Sequence, residues 1–377
     1  MRKVLLGTAS LMAAGVVGQA GAARAQDGAD VEAVVVVGRD YRVTTVGSAT
    51  KTATAILQIP QPIQVVTRQL IEDQRPLTIS DALRNVSGFS ALRNSGKVFR
   101  SLNIRGFQTL DLNVDGLRQT FGLNDQPDAI ASIERIEVLK GPAGALYGRG
   151  GLGATVNIVT KDPLPERRIA ASISTGTGGL IQPTLDVTGP LNAAGSVRGR
   201  LIGDYEKRDT ATDFVNLKRW QIAGALAVDL GEHTTVSLKS DYREREGLRF
   251  VAIPAYGTVT GLNDIRLPFD LFIGEPGVGE AENTGWTTTL KIDHSLTENW
   301  TFTAAARWMR NTLDLPFVNP TGLAADNRTL NRNYRRFREV ESEAAFDAFV
   351  TGLSAVRSTE TDFGFRSTEG FGLIAVT

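Results

Sequence analysis

The chain has 377 residues, 41 basic side chains against 41 acidic ones, no cysteine, and two histidines, His233 and His294. Balanced charge argues against the cationic surface of a nucleic-acid binder. The missing cysteines exclude disulfides, thiol chemistry and an ordinary Cys/His zinc site.

Arg2 and Lys3 precede an apolar run from Val4 to Val17, and Ala23-Arg24-Ala25 offers the small residues of a cleavage site. That is the layout of a secretory signal, so residues 1–25 are set aside from the fold. The run is too short and too Gly-rich for a transmembrane anchor, and no later stretch is apolar enough to span a membrane as a helix. Residues 26–48 begin acidic and contain "VEAVVVVG" (Val31–Gly38). Two readings fit this run. It is the first strand of the next domain, or a free strand that pairs through its main chain with another protein's sheet edge.

Residues 49–162 have the pattern of a compact α+β domain. "PIQVVT" (Pro62–Thr67) predicts a strand. "TISDALRNVSGF" predicts a helix, with Ser80 as N-cap, Ala82, Leu83 and Val86 on one face, and Gly88 as the stop. "SLNIRGF" and "LDLNVDGL" predict further strands. Asp111-Leu112-Asn113-Val114-Asp115-Gly116 opens like a calcium loop, but the twelfth position is Gly122 where a bidentate Glu is needed. A strand running into an Asp-Gly turn explains the run better.

"IERIEVLKGPAGALYGRGGLGATVNIVTK" (Ile133–Lys161) contains G-x-G-x-x-G at Gly148, Gly150 and Gly153. A dinucleotide site needs a helix to follow these glycines. "ATVNIVTK" is β-branched and predicts a strand instead. No Gly-Lys-Ser/Thr triplet supports a phosphate loop either. The glycines serve tight turning and close backbone approach.

Pro163 and Pro165 mark a boundary, and residues 166–377 change character. Six of the 26 aromatic residues precede residue 161, and the other 20 follow. In "VRGRLIGDYEKR", Val197, Leu201 and Tyr205 alternate with Arg198, Arg200, Asp204 and Glu206. "WQIAGALAVDL", "TTVSLKSDYR", "WTTTLKIDHSL", "WTFTAAARWMR" and "EAAFDAFVT" repeat the theme. About ten residues of alternation, often with an aromatic near an end, is the pattern of transmembrane β-barrel strands. Short connections such as "GEH" and "TEN" alternate with longer ones, including Glu246–Gly285. No G-x-S-x-G elbow or H-E-x-x-H helix suggests an enzyme.

Taken together, these segments resemble the TonB-dependent outer-membrane receptors, most closely the ferric-siderophore type, from the signal to about residue 350. The likeness rests on "VEAVVVVG", "IPQPIQVVTRQLIEDQRPLTISDALRNVSGF", "SLNIRGF" and the Ile133–Lys161 block. It implies an α+β plug followed by an antiparallel transmembrane β-barrel of 22 strands in the outer membrane. Its partners would be TonB with its inner-membrane energising complex, a ferric siderophore, outer-membrane lipid and the barrel-assembly machinery. Iron would arrive as a chelate, with no protein-held cofactor or metal. The resemblance places TonB binding on Glu32, Ala33, Val34, Val35, Val36 and Val37, siderophore contact on Arg93 and Phe121, and a latch to barrel glutamates on Arg105 and Lys140.

About eight barrel strands are legible by Gly352. The tail beyond it loses clean alternation and ends at Val376-Thr377, where such barrels close on an aromatic. Eight strands enclose no more than their own side chains, so they cannot surround a plug. The expectations are a longer receptor of which this is a piece, or a shortened product. The latter would be a non-transporting remnant, at most a periplasmic TonB-binding plug, or degraded.

Overall fold

Short apolar runs broken by turn residues build the first half of the chain in a computed structural model. It describes residues 41, 43–47, 51, 54–59, 61–92, 101–109, 112–119, 130–141, 152–255, 257–260, 266–298, 300–326, 329–355 and 366–375. The signal segment, Glu32 to Val37, Arg93, Phe121, Gly148 and Gly150 lie outside the described residues. Thr45–Val46 (β1) pairs antiparallel with Thr54–Ala55 (β2). Ile63–Val66 (β3) leads into helix α1, Arg68–Gln74, where Thr67 caps the N-terminus by accepting from the Leu70 amide.

Helix α2, Ile79–Ala82, is capped by Thr78, not by Ser80. An N-cap needs extended backbone outside the helix. Thr78 has it, with φ −139° and ψ 159°, and its hydroxyl accepts from the Asp81 amide. Ser80 already lies inside the first turn. The helix runs on as one 3-10 turn, Leu83–Asn85, and the chain leaves through Gly88 at φ 77°.

Phe89–Leu92 (β4), Ser101–Ile104 (β5) and Phe107–Thr109 (β6) form a three-stranded antiparallel sheet. Leu112–Val114 (β7), Leu117–Gln119 (β8), Ile133–Lys140 (β9) and Ala154–Thr160 (β10) join β3 in a five-stranded sheet of order β3-β9-β10-β7-β8. Only the β10–β7 pairing in it is parallel. Two hairpins turn on Arg105-Gly106 and Asp115-Gly116, with φ of 55° and 82°, then 49° and 80°. Positive φ at both central residues matches strand twist in a two-residue turn, hence the Asp-Gly pair. Val66, Ile71, Leu83, Ile104, Ile136 and Val156 lie in one apolar core between sheet and helices. Each fully buried side chain of this size contributes about 1.5–3 kcal/mol.

A strand, not a helix, follows Gly153, so the dinucleotide context is not met. Gly153 is instead a point of close approach. A Cβ there would fall 2.3 Å from the Ile104 carbonyl oxygen.

The second half is one antiparallel meander of nine strands in chain order. They are Arg168–Gly176 (β11), Leu180–Pro190 (β12), Val197–Asp209 (β13), Asn216–Leu230 (β14), Thr234–Gly247 (β15), Ala281–Thr297 (β16), Trp300–Leu323 (β17), Leu330–Ala355 (β18) and Arg366–Ala375 (β19). Eight are complete by Ala355, and the tail supplies the ninth, paired with the end of β18. β16 starts at Ala281, four residues before Gly285, because Ala281 to Thr284 continue the ladder opposite Gly247 to Glu244. The long connection is therefore 248–280. It lies at the same end as 324–329, while 231–233 lies at the other.

Alternation sorts the wall inside out. Leu201 and Ile222 are 54% and 51% exposed, while Arg200, Asp204, Glu206 and Arg219 are buried on the opposite face. Tyr205, Trp220, Tyr242, Trp286 and Trp308 form an outward row across β13 to β17, with Trp220–Tyr242 centroids 5.1 Å apart and Trp286–Trp308 5.5 Å. Such a girdle marks a membrane interface.

Candidate functional site at the seam between plug and wall

The seam begins at the Asp115-Gly116 turn. The turn pushes Asp115 beyond the end of β7, where its carboxylate accepts from the Thr160 amide at 2.8 Å and the Thr160 hydroxyl at 2.5 Å. Gly116 donates to Asn157 Oδ1 at 3.0 Å. These bonds lock the hairpin against β10. Opposite them stands Lys239 of β15. Its Nζ lies 2.7 Å from Asp162 Oδ1, 2.9 Å from Thr160 Oγ1 and 3.5 Å from Asp115 Oδ2.

Arg307 of β17 holds the other side of the turn. It is 2% exposed. It donates to the backbone carbonyls of Val114 and Leu117 and, within the wall, to Thr289 Oγ1 at 3.1 Å. The planar guanidinium suits this task, since its fixed fork reaches several acceptors at once. Burial alone would raise the Asp115 carboxyl, but Lys239, the two Thr160 bonds and Arg307 hold it below the ordinary carboxylate value.

A second tie lies where the plug chain enters the wall. Lys161 Nζ is 2.8 Å from Asp186 Oδ2 of β12, and Arg200 of β13 grips the same carboxylate at 2.8 and 2.6 Å. Arg200 also donates to the Asp162 carbonyl at 2.8 Å. Ser132 meets Gln221 of β14 at 3.5 Å. Between turn and wall a cavity of about 60 Å³ is lined by Asp115, Gln119, Thr160, Lys239, Thr289 and Arg307. Charged and hydroxyl groups interrupt its largely apolar lining, and it is large enough to admit water.

The expected latch cations sit elsewhere. Lys140 is buried and donates to Gln64 Oε1 at 2.9 Å and to the Ser87 hydroxyl, both within the plug. Arg105 is exposed at its turn, beside Gly88. The two share one locality. Burial and then the Arg105 charge push the Lys140 ammonium down. Among the described residues, plug–wall ion pairs run through Lys51, Asp115, Lys161 and Asp162. The proposed TonB and siderophore residues lie outside the described residues. Among the described residues, no group of three or more His, Asp or Glu is arranged to hold a metal.

Sequence reasoning missed Lys239, Arg307, Asp186 and Arg200 as seam residues. One signal was present: each lies on the strand face opposite the apolar row. In a barrel that face looks inward, so a charge there meets the plug or the lumen.

The plug and wall have known counterparts. The TonB-dependent Receptor Plug Domain family matches residues 55–155. The metal-pseudopaline receptor of Pseudomonas aeruginosa is 34% identical over 303 residues, 80% of this chain and 42% of that protein. The ferripyoverdine receptor of Pseudomonas aeruginosa is 31% identical over 278 residues, 69% of this chain and 32% of that protein. In fold, the chain is similar to the pyoverdine outer membrane receptor of Pseudomonas aeruginosa, with TM-score 0.77 at 23% identity, over 88% of this chain and 48% of that one. The chain thus spans about a third to two fifths of the length of these curated relatives.

Proposed function

From a chain that carries a TonB-dependent receptor plug and the barrel wall around it, we propose a role in TonB-dependent uptake of a metal chelate, a ferric siderophore, across the outer membrane. One observation carries the reading. The plug meets the wall through ion pairs and hydrogen bonds beside a small cavity, while its apolar core is closed within itself. Water can replace such ties without exposing apolar surface, so the plug can shift while staying folded. A shared apolar core would weld the two parts together.

In this reading Glu32 to Val37 pair with TonB by strand addition, which needs only main-chain hydrogen bonds. Arg93 and Phe121 contact the chelate, as a guanidinium and an aromatic suit an anionic metal complex. Arg105 and Lys140, two crowded cations, await a barrel carboxylate that would relieve their repulsion. The process is transport, with no covalent step.

The test is uptake of iron-55 presented as ferripyoverdine or ferrioxamine B, and of metal–pseudopaline carrying a metal radioisotope. The comparison is between cells expressing the gene, cells lacking it, and cells in which Glu32 to Val37 are deleted. Accumulation that needs both the gene and the segment supports the reading. Accumulation indifferent to the gene for every chelate ends it for these substrates, and gene-dependent uptake that survives the deletion removes TonB from it.

A further inference from the structure

The outward aromatic row gives a level from which heights can be read. Tyr205, Trp220, Tyr242, Trp286 and Trp308 lie toward the strand ends that carry the long connection 248–280, the outer side of such a barrel. Past this row β13 and β14 keep four residues each, and β15 and β16 five. β17 keeps fifteen, and β18 pairs with it to the end. This hairpin stands well above the interface, with its outer face continuous with the aromatic row.

That outer face carries arginines. Arg310 lies two residues past Trp308 and beside Trp286 in the ladder; it is exposed and has no partner among the described residues. Higher up, Arg336 and Arg338 of β18 share Asp314 of β17. Arg336 grips the carboxylate at 2.7 and 2.6 Å, while Arg338 uses its Nε alone, at 3.1 Å. The Arg338 side chain is 66% exposed, and its terminal N–H donors are left to the outside. Glu282 stands beyond Asp314, one strand further from Arg338. Alternation sends the acids of β18 the other way. Glu339, Glu341 and Glu343 lie on the inner face, opposite the buried Leu313, Asn311 and Met309.

Asp314 and Arg338 form one register pair, four residues above Arg310. At about 3.4 Å per residue and a strand tilt of about 40°, that is a rise of about 10 Å. The headgroup layer of an ordinary phospholipid is about 5–8 Å deep. A lipid that meets both arginines must therefore carry a second anionic group, raised above the first on a large headgroup.

We propose that Arg310 and Arg338 are the two ends of an outer-face site for a phosphorylated glycolipid. Arg310 takes the phosphate nearest the acyl chains, which lie against Trp286 and Trp308. Arg338, positioned by Asp314, takes a phosphate on the saccharide above. The guanidinium fork suits phosphate at both levels. The membrane setting rests on the function proposed above, but binding is measured apart from transport.

The test is equilibrium binding to the detergent-extracted protein. The probes are lipid A, a lipopolysaccharide with a phosphorylated core, phosphatidylglycerol and inorganic phosphate. Affinity should fall from lipopolysaccharide to lipid A to phosphatidylglycerol, a comparison that needs no variant. Arg310→Gln should weaken lipopolysaccharide and lipid A alike, about fivefold, the change that about 1 kcal/mol per basic side chain near an anionic surface produces. Arg338→Gln should weaken lipopolysaccharide about as much and leave lipid A unchanged. Equal affinity for phosphatidylglycerol overturns the proposal. So does displacement of lipopolysaccharide by equimolar inorganic phosphate, or an Arg338→Gln effect as large on lipid A. Uptake that fails while these preferences hold sinks the function and not the site; preferences that fail while uptake holds sink the site alone.

Discussion

Plug and wall use the same alternation and sort it in opposite directions. In the plug, Ile136 and Val138 of β9, with Val156 and Ile158 of β10, face a core closed on itself. In the wall, Leu201, Ile222 and Leu238 face outward, while Arg200, Asp204, Arg219 and Lys239 lie on the opposite, inner face. The plug is stable through what it buries. Much of the wall's inner face is satisfied by charges, its own and the plug's. Their meeting surface is consequently ionic, and a buried charge that loses its partner is costly where a lost apolar contact at the same surface would be mild.

The sharpest test of that difference is Lys239→Met. It removes the wall cation that pairs with Asp115, and removing one partner of a buried pair costs about 3–5 kcal/mol. Denaturant unfolding in detergent should show a loss of that order, and Asp115→Asn added to Lys239→Met should recover a substantial part of it. If the double variant were no better than the single one, the seam would not be ionic in the sense argued. Next in size is Leu83→Ala in the plug core, where Leu83 is 0% exposed. It should cost about 2–5 kcal/mol. Leu201→Ala on the outer wall leaves no cavity inside the protein and should cost clearly less. Equal losses at the two leucines would erase the distinction between the regions.

Much of this was legible in the sequence because alternation and turn chemistry are local. "VRGRLIGDYEKR" already separates Leu201 and Tyr205 from Arg200, Asp204 and Glu206. The Asp115-Gly116 pair already predicts its turn. Helix α1 was not read, because its seven residues carry just Leu70 and Ile71 as apolar anchors, too few to show a helical period. Thr78, not Ser80, is the cap; both are hydroxyl residues near the start, and backbone dihedrals decide between them. The seam escaped for a different reason. Lys239 and Asp115 are 124 residues apart, and no local pattern pairs one inward lysine with one carboxylate among many.

A smaller effect separates the two regions by acid. The Asp115 carboxyl is held below its ordinary value in the folded chain by Lys239, the Thr160 bonds and Arg307, against the opposing pull of burial. A depressed carboxyl binds fewer protons folded than unfolded. Its contribution is therefore complete above the ordinary carboxylate value of 3.8 and is lost as pH falls through the lower folded value. The apolar core has no such term. Acid titration followed by protease sensitivity should loosen the plug's grip on the wall only below that value, with the plug core still protected. In Asp115→Asn this acid-dependent component should shrink, because the group that titrates is gone. A loss of core protection that runs ahead of the seam as acid is added would show that the plug is not the more self-sufficient of the two.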